Sequence, residues 1–289
     1  AYRVAPDWVY GFAEMAKGQR AAIAAAKRVS NPGCYPTGFI GLVRPLLEAG
    51  IIPRDWPLSV NAVSGYSGGG KAMIAEFENT GAPEYTDAPF RIYALTQKHK
   101  HVPEMHTHTG LARAPIFAPS VGRYYKGMIV EVPLPLSALP GRPKLVQVQA
   151  ALTAAYAGER FVSVATPEEA TSVKTLAPEG LNGTNQMKLY VFGHDEEARL
   201  VALLDGRVEG VHVDVEDGAR GRPLLGHVAL GHDALECAPP RTRTQPAGTP
   251  RRWRGDEHEP LAFALPPGTP AHPRHRRGRT LAVGALAAG

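Results

Sequence analysis

Residues 31–50 read NPGCYPTGFIGLVRPLLEAG and join a tight turn to a strongly apolar segment. Proline and glycine lie on both sides of Cys34, which forces a turn in the backbone. The segment behind the turn favours a helix over residues 37–49, and Gly50 is typical of a helix end. Cys34 is therefore predicted to lie just before a helix.

Helix and strand patterns alternate on both sides of this turn. The alanine-rich segment 13–28 contains strong helix formers and is predicted to be helical, as is 145–156. Strand patterns cover residues 58–64, 90–95, 116–121, 128–132, 186–193 and 199–204. Alternation with short loops predicts an α/β or α+β domain with a mixed sheet.

The composition excludes several classes of protein. The chain has 289 residues, of which 44% are hydrophobic and 20% charged, as in one or two globular domains. No apolar run approaches the roughly 18 residues of a membrane span, and the first residues lack a signal-peptide pattern, so no membrane partner is expected. Two cysteines, Cys34 and Cys237, are too few for a disulfide scaffold, and a reducing, cytoplasmic location is the default expectation.

The positive charge is confined to the end of the chain. The net charge is +5, but residues 219–289 hold 11 Arg and 5 acidic residues, which leaves the remainder near neutral. Only Trp253 and Phe263 are aromatic there, so no nucleic-acid partner is expected. Apolar periodicity is lost after about residue 205, and we predict a disordered tail over 205–289.

Cys34 is the first candidate for chemistry. A helix N-terminus offers unpaired N–H groups and a partial positive charge, which lower a thiol pKa and favour the nucleophilic thiolate. The alternative is a buried, inert cysteine.

A histidine-rich segment, residues 98–108, is the second candidate. A nucleophilic thiol needs an acid/base partner, and histidine is the usual one. The four histidines also leave a zinc site open, although no further ligand is obvious, and ordinary surface histidines are a third possibility. They are His99, His101, His106 and His108.

The third candidate is the glycine-rich segment 64–72, SGYSGGGKA. Gly65 to Lys71 matches G-x-x-x-x-G-K after a predicted strand, as in a P-loop. Ala72 stands where the motif needs Ser or Thr for magnesium, which argues against an NTPase or kinase. We expect a cradle for a smaller phosphate, with a plain turn as the alternative.

These three sites suit one chemistry. A thiolate, an imidazole and a phosphate cradle fit attack on an acyl phosphate. Thioester formation would expel phosphate, and a hydride donor could then reduce the thioester to an aldehyde.

The chain resembles N-acetyl-gamma-glutamyl-phosphate reductases of the shorter form over residues 3–204. The strings that carry the resemblance are DWVYGF, NPGCYPTGF, SVNAVSGYSGGGKAMI, KHKHVPEM, PIFAPSVG, GMIVEVPLPL and LNGTNQMKLYVFG. The resemblance implies a glyceraldehyde-3-phosphate-dehydrogenase-like catalytic and dimerisation domain at 34–204, after a remnant of a Rossmann-type NADP-binding domain at 1–33.

The resemblance also implies a reaction and its residues. That reaction is the NADPH-dependent reduction of N-acetyl-glutamyl 5-phosphate, an acyl phosphate, in arginine biosynthesis by a homodimer or tetramer, without a metal. Cys34 would be the nucleophile and His101 with Glu104 the acid/base pair, and their spacing predicts that the carboxylate orients the imidazole. Substrate would contact Tyr93, Ser64, Gly65 and Lys71, and the cofactor Ser67 and Gly68.

Two departures from the family pattern bear on activity. The glycine-rich fingerprint of the cofactor domain is not found near the N-terminus, so weak NADP binding is expected. The family's C-terminal helix is replaced after residue 205, as a reading-frame slip would do. An alternative function is a non-catalytic interaction or regulatory protein built on the same domain.

Overall fold

The computed structural model describes residues 2–205, in which strands and helices alternate. The strands are β1 (Val9–Tyr10), β2 (Val29–Ser30), β3 (Ser59–Gly65), β4 (Phe90–Ile92), β5 (Ile116–Gly122), β6 (Met128–Leu134), β7 (Val162–Val164), β8 (Met187–Gly193) and β9 (Ala198–Leu204). The α-helices are α1 (Gln19–Ala25), α2 (Cys34–Glu48), α3 (Gly70–Glu78), α4 (His101–Thr109), α5 (Leu145–Ala155) and α6 (Pro167–Ser172).

Seven strands form one mixed sheet in the order β4-β5-β3-β6-β9-β8-β7. β3 runs parallel to β5 and antiparallel to β6, and the β6–β9 and β9–β8 pairs are antiparallel. The predicted mixed α/β sheet is confirmed. β1 and β2 form a separate parallel pair.

α2 is the central helix of the structure. It is apolar around its circumference, and all its residues except Arg44 and Glu48 are buried. It lies over β6 and β9 and packs against α4 and α5. The burial of α2 places its first residue, Cys34, at the edge of the main hydrophobic core.

The opposite face of the sheet is unevenly covered. Around β8 and β9, apolar side chains from the segment 173–181 pack against it. Towards the β4 edge, three large apolar side chains on this face are exposed. They are Phe90 at 54%, Ile92 at 63% and Ile116 at 63%.

The predicted strands agree with the structure to within a few residues, whereas the helices differ more. The first helix is shorter than 13–28, since Gly18 precedes it with a φ of 86°. α2 begins three residues before the predicted start, because Pro36 fits the first turn of a helix. α3, α4, β7 and α6 were not predicted.

The domain bounds 1–33 and 34–204 stay predictions. Of the predicted disordered segment 205–289, all but Asp205 lies outside the described residues. In the described part of the chain, no helix is long and apolar enough to cross a membrane.

Candidate active site

Cys34 is the first residue of α2 and is a buried free thiol. Gly33 precedes the helix in an extended conformation, and its carbonyl oxygen accepts hydrogen bonds from the N–H and the hydroxyl of Thr37 at 3.0 and 2.9 Å. These bonds hold the backbone from Gly33 to Thr37, which we call the nucleophile turn.

Burial controls the ionisation of this thiol. Desolvation raises the pKa of Cys34 to about 11, and the N–H groups of Tyr35 and Cys34 and the charge of Arg3 offset only part of that rise. The expected lowering of the thiol pKa by the helix N-terminus is therefore wrong. Cys34 is a protonated thiol at neutral pH.

His101 begins α4 and packs directly on the nucleophile turn. A Cβ atom on Gly33 would lie 2.5 Å from Nε2 of His101, closer than any real contact allows. Glycine at position 33 therefore lets the imidazole approach the residue that precedes Cys34.

The imidazole of His101 is buried and electrically neutral. Its Nδ1 has no hydrogen-bond partner among the described residues. Desolvation, with smaller contributions from His99, Arg3 and Lys100, lowers the pKa of His101 to about 2. A neutral imidazole can accept a proton, so His101 is suited to act as a base towards a thiol.

Glu104 does not orient His101, and that expectation is wrong. Its Oε1 accepts a hydrogen bond from Arg3 at 3.0 Å, and its Oε2 accepts from the Tyr10 hydroxyl at 3.0 Å and the Gly33 N–H at 2.9 Å. The physical reason is that three donors from the chain before Cys34 occupy the two carboxylate oxygens.

Tyr93 and Ser64 meet in one network beside Cys34. The Tyr93 hydroxyl donates to the Tyr35 hydroxyl at 3.0 Å, and Tyr35 donates to Ser64 Oγ at 2.8 Å. Desolvation raises the pKa of Tyr93 to about 12, so it is a neutral hydrogen-bonding group. The sequence analysis missed Tyr35, although an aromatic residue directly after the nucleophile was an available signal.

The first part of the glycine-rich segment, residues 65–67, is not an open phosphate cradle. The N–H groups of Gly65, Tyr66 and Ser67 donate to the carbonyl oxygens of Gly127, Tyr124 and Tyr125 at 3.0, 2.9 and 2.9 Å. A Cβ on Gly65 would lie 2.6 Å from that neighbouring backbone, so glycine is required for this contact. These three donors are already occupied.

The remaining predicted residues of this segment lie around the start of α3. Ser67 is buried, Gly68 is half-buried, and Lys71 is exposed in the first turn of the helix. The structure therefore brings Ser64 into the network beside Cys34 and leaves Lys71 at the surface. The occupied N–H groups of this turn do not fit the pyrophosphate of a dinucleotide.

The histidines of α4 have separate surroundings. The ring of His108 stacks on Tyr10 with centroids 3.7 Å apart, and its Nε2 lies 2.7 Å from the Arg3 carbonyl oxygen. Within residues 2–205, no group of three His, Cys, Asp or Glu side chains could hold a metal ion.

Comparisons with solved structures show the same fold. The aspartate semialdehyde dehydrogenase II of Vibrio cholerae superposes with a TM-score of 0.51 over 73% of this chain and 67% of that chain. The sequence identity is 14%, so this likeness concerns the fold alone.

Sequence comparisons show the family. The family described as semialdehyde dehydrogenase, dimerisation domain, matches residues 34–205. The N-acetyl-gamma-glutamyl-phosphate reductase of Brucella anthropi is 56% identical over 212 residues, which cover 73% of this chain and 68% of that protein. The enzyme of the same name from Brucella ovis is 55% identical over the same shares. The chain belongs to the N-acetyl-gamma-glutamyl-phosphate reductase family.

Proposed function

We propose that this chain carries the acyl-transfer centre of an NADPH-dependent reductase. Its reaction would convert N-acetyl-glutamyl 5-phosphate into N-acetyl-glutamate 5-semialdehyde and phosphate in arginine biosynthesis. The names of the relatives support the substrate. The observation that carries the proposal is the buried Cys34 at the start of α2, with the His101 imidazole packed against the preceding Gly33.

The first half of the reaction follows from the ionisation of the two residues. Cys34 is protonated and His101 neutral at neutral pH, so the thiol proton must move during the attack. His101 accepts that proton as Sγ bonds to the acyl carbon. The bond from that carbon to the phosphate oxygen breaks, phosphate leaves with the electron pair, and a thioester on Cys34 remains.

The second half needs a hydride at the thioester carbon. NADPH supplies this hydride in the family that the resemblance names, and the N–H groups of residues 65–67 are already bonded and do not hold its pyrophosphate. We assign Tyr93 and Ser64 to substrate positioning through Tyr35. Roles for Gly65, Lys71, Ser67 and Gly68 stay predictions.

The acylation step can be tested without a cofactor. The purified chain is mixed with N-acetyl-glutamyl 5-phosphate, or with acetyl phosphate as a simpler acyl phosphate, and followed by intact-protein mass and released phosphate. We expect one hydroxylamine-sensitive acyl group on the peptide that contains Cys34, and none in Cys34→Ala. His101→Asn should acylate about 10²–10⁴-fold more slowly.

A matched control separates His101 from its neighbours on the helix. His106 lies on the same helix and lacks the contact with Gly33, so His106→Asn should acylate at close to the parent rate. Acylation of Cys34→Ala at the parent rate, or equal effects of the two histidine changes, would contradict the proposal.

For the assembly, we propose that a second copy of this chain packs on the exposed part of the sheet. The matched domain is described as a dimerisation domain. Phe90, Ile92 and Ile116 form a row of exposed apolar side chains on one face of β4 and β5. An exposed apolar patch of this kind is typical of a protein interface. Because the Cys34 thiol must stay reduced, we place the reaction in the cytoplasm.

A further inference from the structure

The acylation mechanism gives no role to the buried carboxyl group of Glu104. Glu104 lies two positions before His106 on the first turns of α4, and only 1% of its surface is exposed. Buried carboxylates are rare unless they are paired and hydrogen-bonded. The three donors that surround Glu104 explain how its burial is tolerated.

The three donors come from two different parts of the chain. Arg3 and Tyr10 belong to the first residues described, and Gly33 is the residue that precedes the nucleophile. Their contacts therefore tie the N-terminal segment, the nucleophile turn and α4 to one carboxylate. The sequence separations are 101, 94 and 71 residues, so these are tertiary contacts.

Gly33 is held by two groups of α4. The imidazole of His101 packs against its Cα, and the carboxylate of Glu104 accepts its N–H at 2.9 Å. The N–H of a residue that precedes a helix has no partner within that helix, so it needs one from outside. Glu104 is that partner, and Cys34 is the next residue.

We propose that Glu104 is a positioning residue, whose carboxylate fixes the backbone of Gly33 and thereby sets the Cys34 thiol relative to the His101 base. This inference rests on the proposed role of Cys34 as nucleophile. Glu104 acts through the backbone and transfers no proton. Its charge does not activate the thiol either, because the Glu104 carboxylate raises the pKa of Cys34.

Glu104→Gln is the informative change because it keeps the shape of the side chain. Its amide presents an NH₂ group to a site where three donors converge, so at least one donor loses its acceptor. Tyr10→Phe removes a single donor, so the carboxylate remains but is held less firmly against the Gly33 N–H. Glu14→Gln is the control, since Glu14 is another buried carboxylate, paired with Arg20 at 3.2 Å.

Two measurements on the full chain report the effect. One is the rate of Cys34 acylation by acetyl phosphate as a function of its concentration and of pH. The other is amide hydrogen exchange in the peptide that covers residues 31–35. A misplacement of about 1 Å in a reacting group costs roughly 100-fold in rate.

We expect Glu104→Gln to slow acylation at saturating acetyl phosphate about 10–100-fold, with the half-saturating concentration within about twofold of the parent. The shape of the pH profile should not change, and exchange in residues 31–35 should be faster. Tyr10→Phe should lower the rate only a few-fold, and Glu14→Gln should match the parent in both measurements.

The proposal is overturned if Glu104→Gln shows the acylation rate and the amide hydrogen exchange of the parent. It is also overturned if one limb of the pH profile moves, because Glu104 would then be a proton carrier. If Glu104→Gln fails to fold, Tyr10→Phe becomes the test of the proposal. A few-fold lower acylation rate in that variant supports the proposal, and a rate and amide exchange equal to those of the parent overturn it. Failure of the proposed function would give a different result, which is acylation of Cys34→Ala. The amide hydrogen exchange of residues 31–35 can still be compared between variants in that case.

Discussion

At the scale of single residues, burial determines the chemistry of the site more than charge pairing does. Desolvation raises the pKa of Cys34 and lowers that of His101, so both groups are held neutral before substrate arrives. A preformed thiolate–imidazolium pair is therefore disfavoured. In the proposed mechanism the proton moves to His101 as the thiol attacks, which makes the distance between the two side chains decisive.

The lowered pKa of His101 also predicts how stability depends on pH. An unfolded histidine takes up a proton below about pH 6.5, while His101 stays neutral in the folded protein down to about pH 2. The unfolded state then binds more protons, so the free energy of unfolding falls as the pH drops below 6.5. One such group contributes at most about 1.4 kcal/mol per pH unit.

Urea unfolding at pH 7 and pH 5 measures this effect. His101→Asn should reduce the loss of stability between the two pH values by up to about 2 kcal/mol. His106→Asn serves as the control for the general effect of acid. An identical pH dependence in the parent and in His101→Asn would contradict the assignment.

Local sequence patterns point to the two proposed reacting residues but not to the residues that hold them in place. Cys34 and His101 stand in short local patterns, a Pro-Gly turn before a helix and a cluster of histidines. The partners of Glu104 could not be found, because Arg3 and Tyr10 reach it only through the tertiary fold. The spacing of His101 and Glu104 suggested that the carboxylate orients the imidazole, but it gave no sign of the three donors that occupy the carboxylate instead.

At the scale of elements, α2 receives one hydrogen bond from a side chain at the end of α5. Pro45 lies inside α2 and has no N–H for the carbonyl of Gly41, four residues earlier. The hydroxyl of Tyr156, directly after α5, donates to that buried carbonyl at 2.8 Å. The side chain that follows α5 thus replaces a missing backbone hydrogen bond of α2.

Tyr156→Phe should lower the free energy of unfolding by about 1–3 kcal/mol, because it leaves a buried carbonyl without a donor. Urea denaturation measures the change. In a Pro45→Ala background, residue 45 regains its N–H, and the effect of Tyr156→Phe should shrink. An equal effect in both backgrounds would show that the Tyr156 hydroxyl does not substitute for the missing N–H of residue 45.

The strands were more predictable than the helices for a physical reason. Each long strand is a local apolar run, such as Met128–Leu134, and its burial in the sheet follows from that run. α3 and α4 carry weak local signals, with glycines in one and histidines in the other. α4 is held by tertiary packing of Met105 in the core, and α3 by stacking of Phe77 on Tyr66. These two helices were therefore not predicted, although candidate site residues on them, such as His101 and Lys71, were.

At the scale of the whole molecule, the two faces of the seven-stranded sheet differ in what covers them. One face packs against α2 and so supports the nucleophile turn. The other face carries both polar and apolar side chains, with the Glu131–Arg199 ion pair on β6 and β9 and the exposed apolar residues on β4 and β5. This division leaves the second face open to a partner without disturbing Cys34.

The second-copy interface predicts the behaviour of one charged substitution. Ile92 is 63% exposed on this face, and in a two-fold dimer Ile92→Asp would bring a carboxylate into the contact from both subunits. Two unpaired carboxylates at a buried contact are costly, so the variant should be monomeric at micromolar concentrations, whereas the parent chain should be a dimer or larger. Light scattering after size-exclusion chromatography gives both masses. Val146 on α5 is 70% exposed away from this face, and Val146→Asp is the matched control, which should keep the parent's mass. A dimeric Ile92→Asp, or a monomeric parent, would move the interface elsewhere or remove it.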